Sequence, residues 1–541
     1  MKIISATDAV ALIESDWTIA TAGFSSSGLA LAVTGALERR FLTSGRPNNL
    51  TLVHAAGQGN RTQIGNGIAG GDAHFAHEGM VKRVISGHWG GSVRLAEMAS
   101  EGKIDGYNLP QGVISQLFRA IAGAKPGLVS QIGLHTFVDP RHGGGHIAEK
   151  PQVPLVELVT LGGKECLFYR SFPIHCAILR GTTADTHGNI SAEQETVVQD
   201  MLAVAQAARN SGGIVIAQVK RLSEFGTIHP QMVRVPGILV DYVVVAEPSL
   251  HWQTAEFEYN PAFTGEVREP QHAHKPLPLD IRKVVARRAL LELADIPHPI
   301  VNLGTGIPAG IGAVAREEGL SDLTFSVEAG TIGGFPASEP TFGAALNPEA
   351  IVDQPSQFDF YDGGGLDISF LGFGEVDSEG SVNVSRFGRR FNGVGGFINI
   401  TQSTKRLVFC GTLTGGGLEV RVKDGVRVVR EGEIRKFVRQ VSHLSFNGPY
   451  ASGQGIQATY VTERGVFRLR DGCLVLTEIA PGIDLARDIL DQVDAEIVVD
   501  PALVEMDRRI FRTEAMGIAA AGAGPKRPKE ALPEHEAIEV V

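Results

Sequence analysis

A chain of 541 residues is longer than one hydrophobic core normally serves, so two large domains are expected. Hydrophobic residues at 43%, charged residues at 20% and a mean hydropathy of +0.05 are the balance of a globular protein rather than a disordered chain. A net charge of −11 argues against nucleic acid as the main partner, because phosphate-backbone binding needs basic surface.

Taken from the start, Met1-Lys-Ile-Ile-Ser-Ala-Thr-Asp8 lacks the charged-then-apolar layout of a secretion signal. No apolar run approaches the roughly 18–20 residues of a membrane span. The expectation is a cytoplasmic protein with no membrane partner. Trp17–Phe24 reads as a strand ending in glycine, and Leu29–Glu38 as the helix after it. Leu50–Gly57 is a second strand, ending near His54. Asp185-Thr-His-Gly-Asn-Ile-Ser191 is a turn entering a strand. Pro261 to Leu279, with four prolines plus His272, His274 and Lys275, has a linker's composition.

The pattern then returns. Ile300–Pro308 repeats the strand-to-glycine ending, Ala309–Arg316 the helix, Leu323–Gly330 the second strand and Asp377–Asn383 the turn. Gly23 and Gly304 lie 281 residues apart, Ala55 and Ala329 274, Asp185 and Asp377 192. The drop places about 82 extra residues between Gly57 and Asp185. Strands alternating with helices, and the chain's 66 glycines clustered where strands end, imply an α/β fold of two related open α/β/α domains in tandem. The expected boundaries are a first domain over 1–260 with a large insertion, a Pro/His-rich linker over 261–280, a second domain over 281–518 and a disordered tail over 519–541. Open α/β sheets hold ligands at the carboxyl ends of their strands.

Two such ends carry candidate chemistry. Phe325-Ser-Val-Glu-Ala-Gly-Thr-Ile-Gly-Gly-Phe-Pro336 runs a short strand into a glycine-rich turn with one carboxylate, Glu328, at the junction. A carboxylate there is either a covalent nucleophile or a cap on the next element. Gly304-Thr-Gly306 sits at a neighbouring strand end.

Ser326–Gly334, followed by Asn392-Gly-Val-Gly-Gly396 and Lys405–Thr412, resembles the family I coenzyme A transferases, specifically the single-chain group with two fused subunit-like halves. His54–Gly59, Gly181–Ile190 and Tyr460–Phe467 extend the resemblance in the expected order from near the start of the chain to about Asp484. It implies a ping-pong exchange of CoA between a short-chain acyl-CoA and a free carboxylic acid of the acetate or 3-oxo type, through a glutamyl-CoA thioester on Glu328. It implies oxyanion donors in the turn Gly304, Thr305, Gly306, Ile307 and Pro308 and at Gly396, and CoA contacts from Asn392, Gly395 and Lys405. Coenzyme A is then substrate and covalent intermediate, with no permanently bound cofactor and no metal. The protein is expected to be a homodimer or homotetramer. Phe24-Ser-Ser-Ser-Gly28 departs from the more glycine-rich turn of the acyl pocket and points to a different acyl group. Hydrolysis of acyl-CoA by the same glutamate, a non-catalytic binder of CoA or another phosphorylated ligand, and a sugar-phosphate isomerase remain alternatives.

Other residues read more plainly. His54, paired with Glu328 in the repeat, is a strand-end histidine of the structural kind. His74, His77 and His88 lack ligand spacing. Arg61, Arg94 and Arg141 either hold an anion or form surface ion pairs. Four cysteines without a CxxC show neither a disulfide framework nor a zinc site, and Cys410 lies in a buried-strand pattern.

Overall fold

A computed structural model describes residues 1–59, 70–148, 153–270 and 276–518. Arg61, His272, His274, Lys275 and the expected tail lie outside the described residues. Seven strands of the first half matter here: β1 (Thr18–Thr21), β2 (Leu50–His54), β3 (Val81–Ser86), β4 (Asp105–Asn108), β5 (Cys176–Asp185), β6 (Ile214–Ser223) and β7 (Tyr242–Val245). They lie side by side in the order β7-β6-β5-β1-β2-β3-β4, all parallel. The second half contributes β8 (Ile300–Leu303), β9 (Thr324–Ser326), β10 (Ile368–Gly372), β11 (Arg406–Cys410) and β12 (Gln457–Val461). Their order is β9-β8-β10-β11-β12, again parallel. Parallel strands are covered on both faces, which is why β5 is buried at every position and why these segments read as near-continuous apolar runs.

The two orders superimpose, β2-β1-β5-β6-β7 on β9-β8-β10-β11-β12, so the internal repeat is a repeat of topology. The extra length falls where expected: residues 55–175 separate β2 from β5, against residues 327–367 between β9 and β10. That insertion supplies β3, β4 and a separate three-stranded sheet. The paired turns match down to their hydrogen bonds. Asp185 Oδ1 accepts the N–H groups of His187 and Asn189 at 2.9 and 3.0 Å, and Asp377 Oδ1 those of Glu379 and Ser381 at 3.1 and 2.9 Å.

Five helices pack near the sheet ends: α1 (Leu31–Ser44), α2 (Gln111–Ala122), α3 (Gly310–Glu317), α4 (Gln354–Asp362) and α5 (Phe397–Ser403). One core is built from both halves, with Leu117 and Phe118 of α2 in the same apolar cluster as Phe358 and Tyr361 of α4 and Ile398 of α5. Each such side chain contributes about 2–3 kcal/mol when fully buried, so the seam between the halves is a packed interior. The proline-rich segment is no free tether where it is described. The Ala262 carbonyl accepts from Asn347 N–H at 2.9 Å, and Leu277 N–H donates to Glu317 at 2.6 Å.

Candidate active site

The carboxyl ends of the two sheets face each other across a cavity of about 740 Å³. From the first half come Phe24 and Ser25 after β1, Ala56 and Gly57 after β2, and His88 after β3. From the second come Gly304 and Gly306 after β8, Glu328 after β9 and Phe373 after β10. The two switch points of the repeat thus enclose one site.

Glu328 is held from both sides along its own chain. Upstream, Ser326 Oγ accepts from Gln357 Nε2 at 2.6 Å and lies 2.8 Å from the Tyr361 hydroxyl, and Asn302 Nδ2 donates to the Ser326 carbonyl at 3.2 Å. Downstream, Gln199 of the first half donates to the Ala329 carbonyl at 3.2 Å. The chain reverses at once, with Gly330 N–H donating to Val327 O and Val327 N–H to Thr331 O, both at 2.9 Å. The glutamate is half-buried: protein encloses it except towards the cavity.

Desolvation lifts the Glu328 carboxyl from an ordinary 4.5 to about 7, against an opposing hydrogen bond from the Gly396 backbone N–H. Burial therefore outweighs that bond by about 3 kcal/mol at the usual 1.36 kcal/mol per pH unit. Gly396 approaches so closely that a Cβ there would stand 2.1 Å from Glu328 Oε2. Glycine is required for that contact.

The segment carrying Gly396 is stitched to the first half. Trp89 N–H donates to Asn392 O at 2.7 Å, Gly395 N–H to Gly87 O at 2.7 Å, and Gln111 N–H to Gly395 O at 3.0 Å. Asn392 and Gly395 both line the cavity. Gly304, Thr305 and Gly306 line it too, but the Gly304 N–H is already given to Phe370 O at 2.8 Å and is not available to an oxyanion. Ile307 and Pro308 turn away: Ile307 packs on the apolar core of the second half, and the Pro308 carbonyl accepts from Ile311 N–H at 3.0 Å.

Lys405 is misplaced by the sequence reading. It immediately precedes β11, at the amino end of a parallel strand, whereas the cavity opens at the carboxyl ends. Five residues of strand separate the two edges, about 17 Å at 3.3 Å per residue. A smaller cavity of about 470 Å³ lies at that opposite edge, but the arginines on its wall are already paired, Arg288 with Glu478, Arg406 with Asp295 and Arg468 with Glu292.

His54 is structural. Its Nε2 lies 3.2 Å from Asp72 Oδ1, its Nδ1 2.7 Å from Ala56 O, and Asp72 also accepts Gln58 N–H at 3.0 Å. The pair braces the turn Ala56–Gly59 beneath the cavity. Of the triple serine, only Ser25 lines the cavity; Ser26 Oγ donates to Pro340 O at 3.0 Å, holding the loop that brings Phe342 against Phe24 with ring centroids 5.6 Å apart. Arg94 and Arg141 form ion pairs with Glu78 and Asp139 away from the cavity. Cys410 is a buried core residue of β11.

The sequence reading missed Gln111, His88 and Phe342 on the wall. His88 belongs to Gly87-His-Trp-Gly-Gly-Ser92, whose clustered glycines were the available signal. Burial lowers its imidazole to about 4, so it faces the site neutral at pH 7.

Comparison with known proteins agrees with this architecture. A sequence model of the family described as Coenzyme A transferase matches residues 3–246. The acetate CoA-transferase YdiF of Escherichia coli K12 is 42% identical over 96% of this chain and 96% of its own. The caffeate CoA-transferase of Acetobacterium woodii is 43% identical over 96% of this chain and 98% of its own. The crystal structure of the YdiF acyl-CoA transferase of E. coli O157:H7, as a thioester complex with CoA, superposes with a TM-score of 0.88 at 41% identity, covering 95% of this chain and 97% of that one. With identity at this level along nearly the full length of both relatives, the chain belongs to the coenzyme A transferase family, in its single-chain form.

Proposed function

We propose that Glu328 is the covalent nucleophile of a CoA transfer between a short-chain acyl-CoA and a free carboxylic acid. The enzyme moves CoA from an acyl-CoA to an acid; what is proposed is how. The Glu328 carboxylate attacks the thioester carbonyl, the C–S bond breaks, and an acyl-glutamyl anhydride and CoA thiolate result. The thiolate then attacks the glutamyl carbonyl, expelling the donor acid as its carboxylate and leaving a glutamyl-CoA thioester. The acceptor acid reverses both steps. No proton is gained or lost overall, and the anhydride preserves the activation of the thioester.

The observation that carries this reading is the Gly396 N–H on the Glu328 carboxyl oxygen. When the thiolate adds to the glutamyl carbonyl, a carboxyl oxygen becomes the oxyanion, and the Gly396 backbone lies against it: a Cβ on Gly396 would stand 2.1 Å from Oε2. Such a donor is worth about 3–4 kcal/mol in an enzyme site. Thr305 and Gly306 of the turn after Gly304 also line the cavity, and Phe24, Ala56 and Phe342 form the apolar lobe for the acyl group. Acetate and 3-oxo acids suit that lobe, and the relatives' names put acetate and caffeate among the acids to try. A cytoplasmic homodimer or homotetramer completes the reading on the strength of the resemblance; light scattering of the purified protein tests the assembly.

The deciding experiment mixes the protein with acetyl-CoA in the absence of an acceptor, traps with borohydride or hydroxylamine, and maps the modified peptide by mass. A trapped derivative on Glu328, absent from Glu328→Gln, is expected. Steady release of free acid and CoA without an acceptor would mark a hydrolase instead. An unmodified, folded protein across several acyl-CoAs would remove Glu328 from the mechanism.

A further inference from the structure

Lys405, the cation expected to contact CoA, stands at the amino edge of β11, away from the cavity. The wall that leads away from Glu328 on the second-half side is aromatic. Phe387 rests on Gly374, where an added Cβ would meet its Cζ at 2.1 Å, and both residues line the cavity beside Phe373. Lys436 lies on Phe373, its Nζ 4.2 Å from the ring centroid. The same Nζ is 3.0 Å from the position a Cβ would take on Gly411, the residue that follows the carboxyl end of β11. Lys436 therefore sits at the edge of the sheet where the cavity opens.

Its ammonium forms no ion pair and no hydrogen bond among the described residues. Glu463, whose field it feels, is occupied by Arg464 Nε at 2.8 Å and Leu413 N–H at 3.0 Å. Burial brings the ammonium down to about 8. A half-buried cation without a counterion is costly, and an anionic ligand offsets that cost. A second cation lies on a hairpin that reaches the same wall. The hairpin of Arg386–Phe387 and Arg390–Phe391 places Phe387 in the wall and carries Arg389 near its tip, exposed and without an ion pair or hydrogen bond among the described residues. In a chain of net charge −11, one unpaired cation lies on Phe373 and another stands two residues from Phe387 in the same wall.

We propose that Lys436 and Arg389 hold the phosphate groups of coenzyme A, with the pantetheine arm lying along Phe387 and Phe373 towards Glu328. Three strand spacings separate the end of β9 from that of β11, about 14 Å at 4.8 Å each, which suits the reach of that arm. Paired donors on a phosphate are the strong kind of hydrogen bond. The inference rests on the reading that CoA's sulfur reaches Glu328.

The test compares acetyl-CoA with acetyl-pantetheine, which lacks every phosphate, on wild type, Lys436→Gln, Arg389→Gln and the double variant. Each single change is expected to lower kcat/KM for acetyl-CoA by about tenfold and the double change by about a hundredfold, at roughly 1.4 kcal/mol per charged contact. Values for acetyl-pantetheine should stay unchanged. Equal losses on both thioesters, or no loss on acetyl-CoA, would overturn the assignment. Calorimetric binding of free CoA in a Glu328→Gln background reads the anchor without the covalent step. Weaker binding there on adding Lys436→Gln supports the anchor even if Glu328 proves not to be the nucleophile; unchanged binding refutes it.

Discussion

Glu328 couples reactivity to a stability cost, and its pKa makes both measurable. With Glu328 as the proposed nucleophile, it is the ionised carboxylate that attacks, so the single-turnover rate of glutamyl-CoA formation should rise tenfold per unit up to pH about 7 and then level off. The stability effect runs the other way. The folded-state carboxyl holds its proton up to about 7, whereas the unfolded one releases it near 4.5. Raising the pH through that window therefore destabilises the fold, by at most about 3 kcal/mol and in full only above 7. Glu328→Gln removes the charge while keeping an acceptor for Gly396 N–H. Its urea midpoint should exceed that of wild type at pH 8 and converge on it as the pH falls towards 4.5; a midpoint difference that does not change with pH would contradict the shift. The sequence singled out this carboxylate because a strand end, a lone acid and clustered glycines coincide within a few residues. Lys405 came from the resemblance, whose spacing after Gly396 is not rigid; because it precedes the strand Arg406–Cys410, it falls at the amino end, away from the cavity.

The turn that carries Glu328 is the element on which the geometry depends. Gly330 adopts φ +106°, and a Cβ there would stand 2.1 Å from the Val352 carbonyl oxygen, a backbone atom that cannot move without shifting the neighbouring strand. Gly306 also has positive φ, +78°, but nothing lies within 4 Å of its would-be Cβ. Gly330→Ala should lower stability by roughly 2–4 kcal/mol and abolish glutamyl-CoA formation, whereas Gly306→Ala should cost only the backbone preference of about 1 kcal/mol. Equal urea midpoints for the two variants would show that the turn tolerates the clash. Elements such as β8 and β9 were legible in the sequence because buried parallel strands are short apolar runs punctuated by glycine. His88 and Gln111 were not. Each enters the cavity from the inserted segment, and only long-range packing, α2 against α4 and Gly87 against Gly395, brings them to the site.

Two topologically equal halves meet with their strand ends opposed, and each supplies part of a cavity that neither could enclose alone. The repeat was visible in the sequence through its glycine strand ends and paired Asp turns; the direction in which the halves face was not, because it is fixed at the seam. That seam is dense. Gly112 N–H donates to Asn399 Oδ1 at 3.1 Å and Gly133 N–H to Gln402 Oε1 at 2.7 Å, and Gln402 Nε2 donates to Leu134 O at 2.8 Å. A buried network also crosses it, with Gln354 Nε2 2.6 Å from Ser115 Oγ, which in turn donates to Asp200 at 2.6 Å. Desolvation lifts the Asp200 carboxyl to about 7, so this buried network takes up a proton as the pH falls through that value. Apolar packing and hydrogen bonds of this kind hold obligate subunits together without a covalent link. Fragments 1–270 and 276–541, co-expressed as separate chains, should therefore copurify and form glutamyl-CoA within about tenfold of the intact rate, the deficit reflecting lost effective concentration at low protein. Either fragment alone should be inactive, since one lacks Glu328 and the other lacks Gln111, Gln199 and the Phe24 lobe. Fragments that fold but fail to associate would show that the connection between the halves, and not the seam, maintains the site.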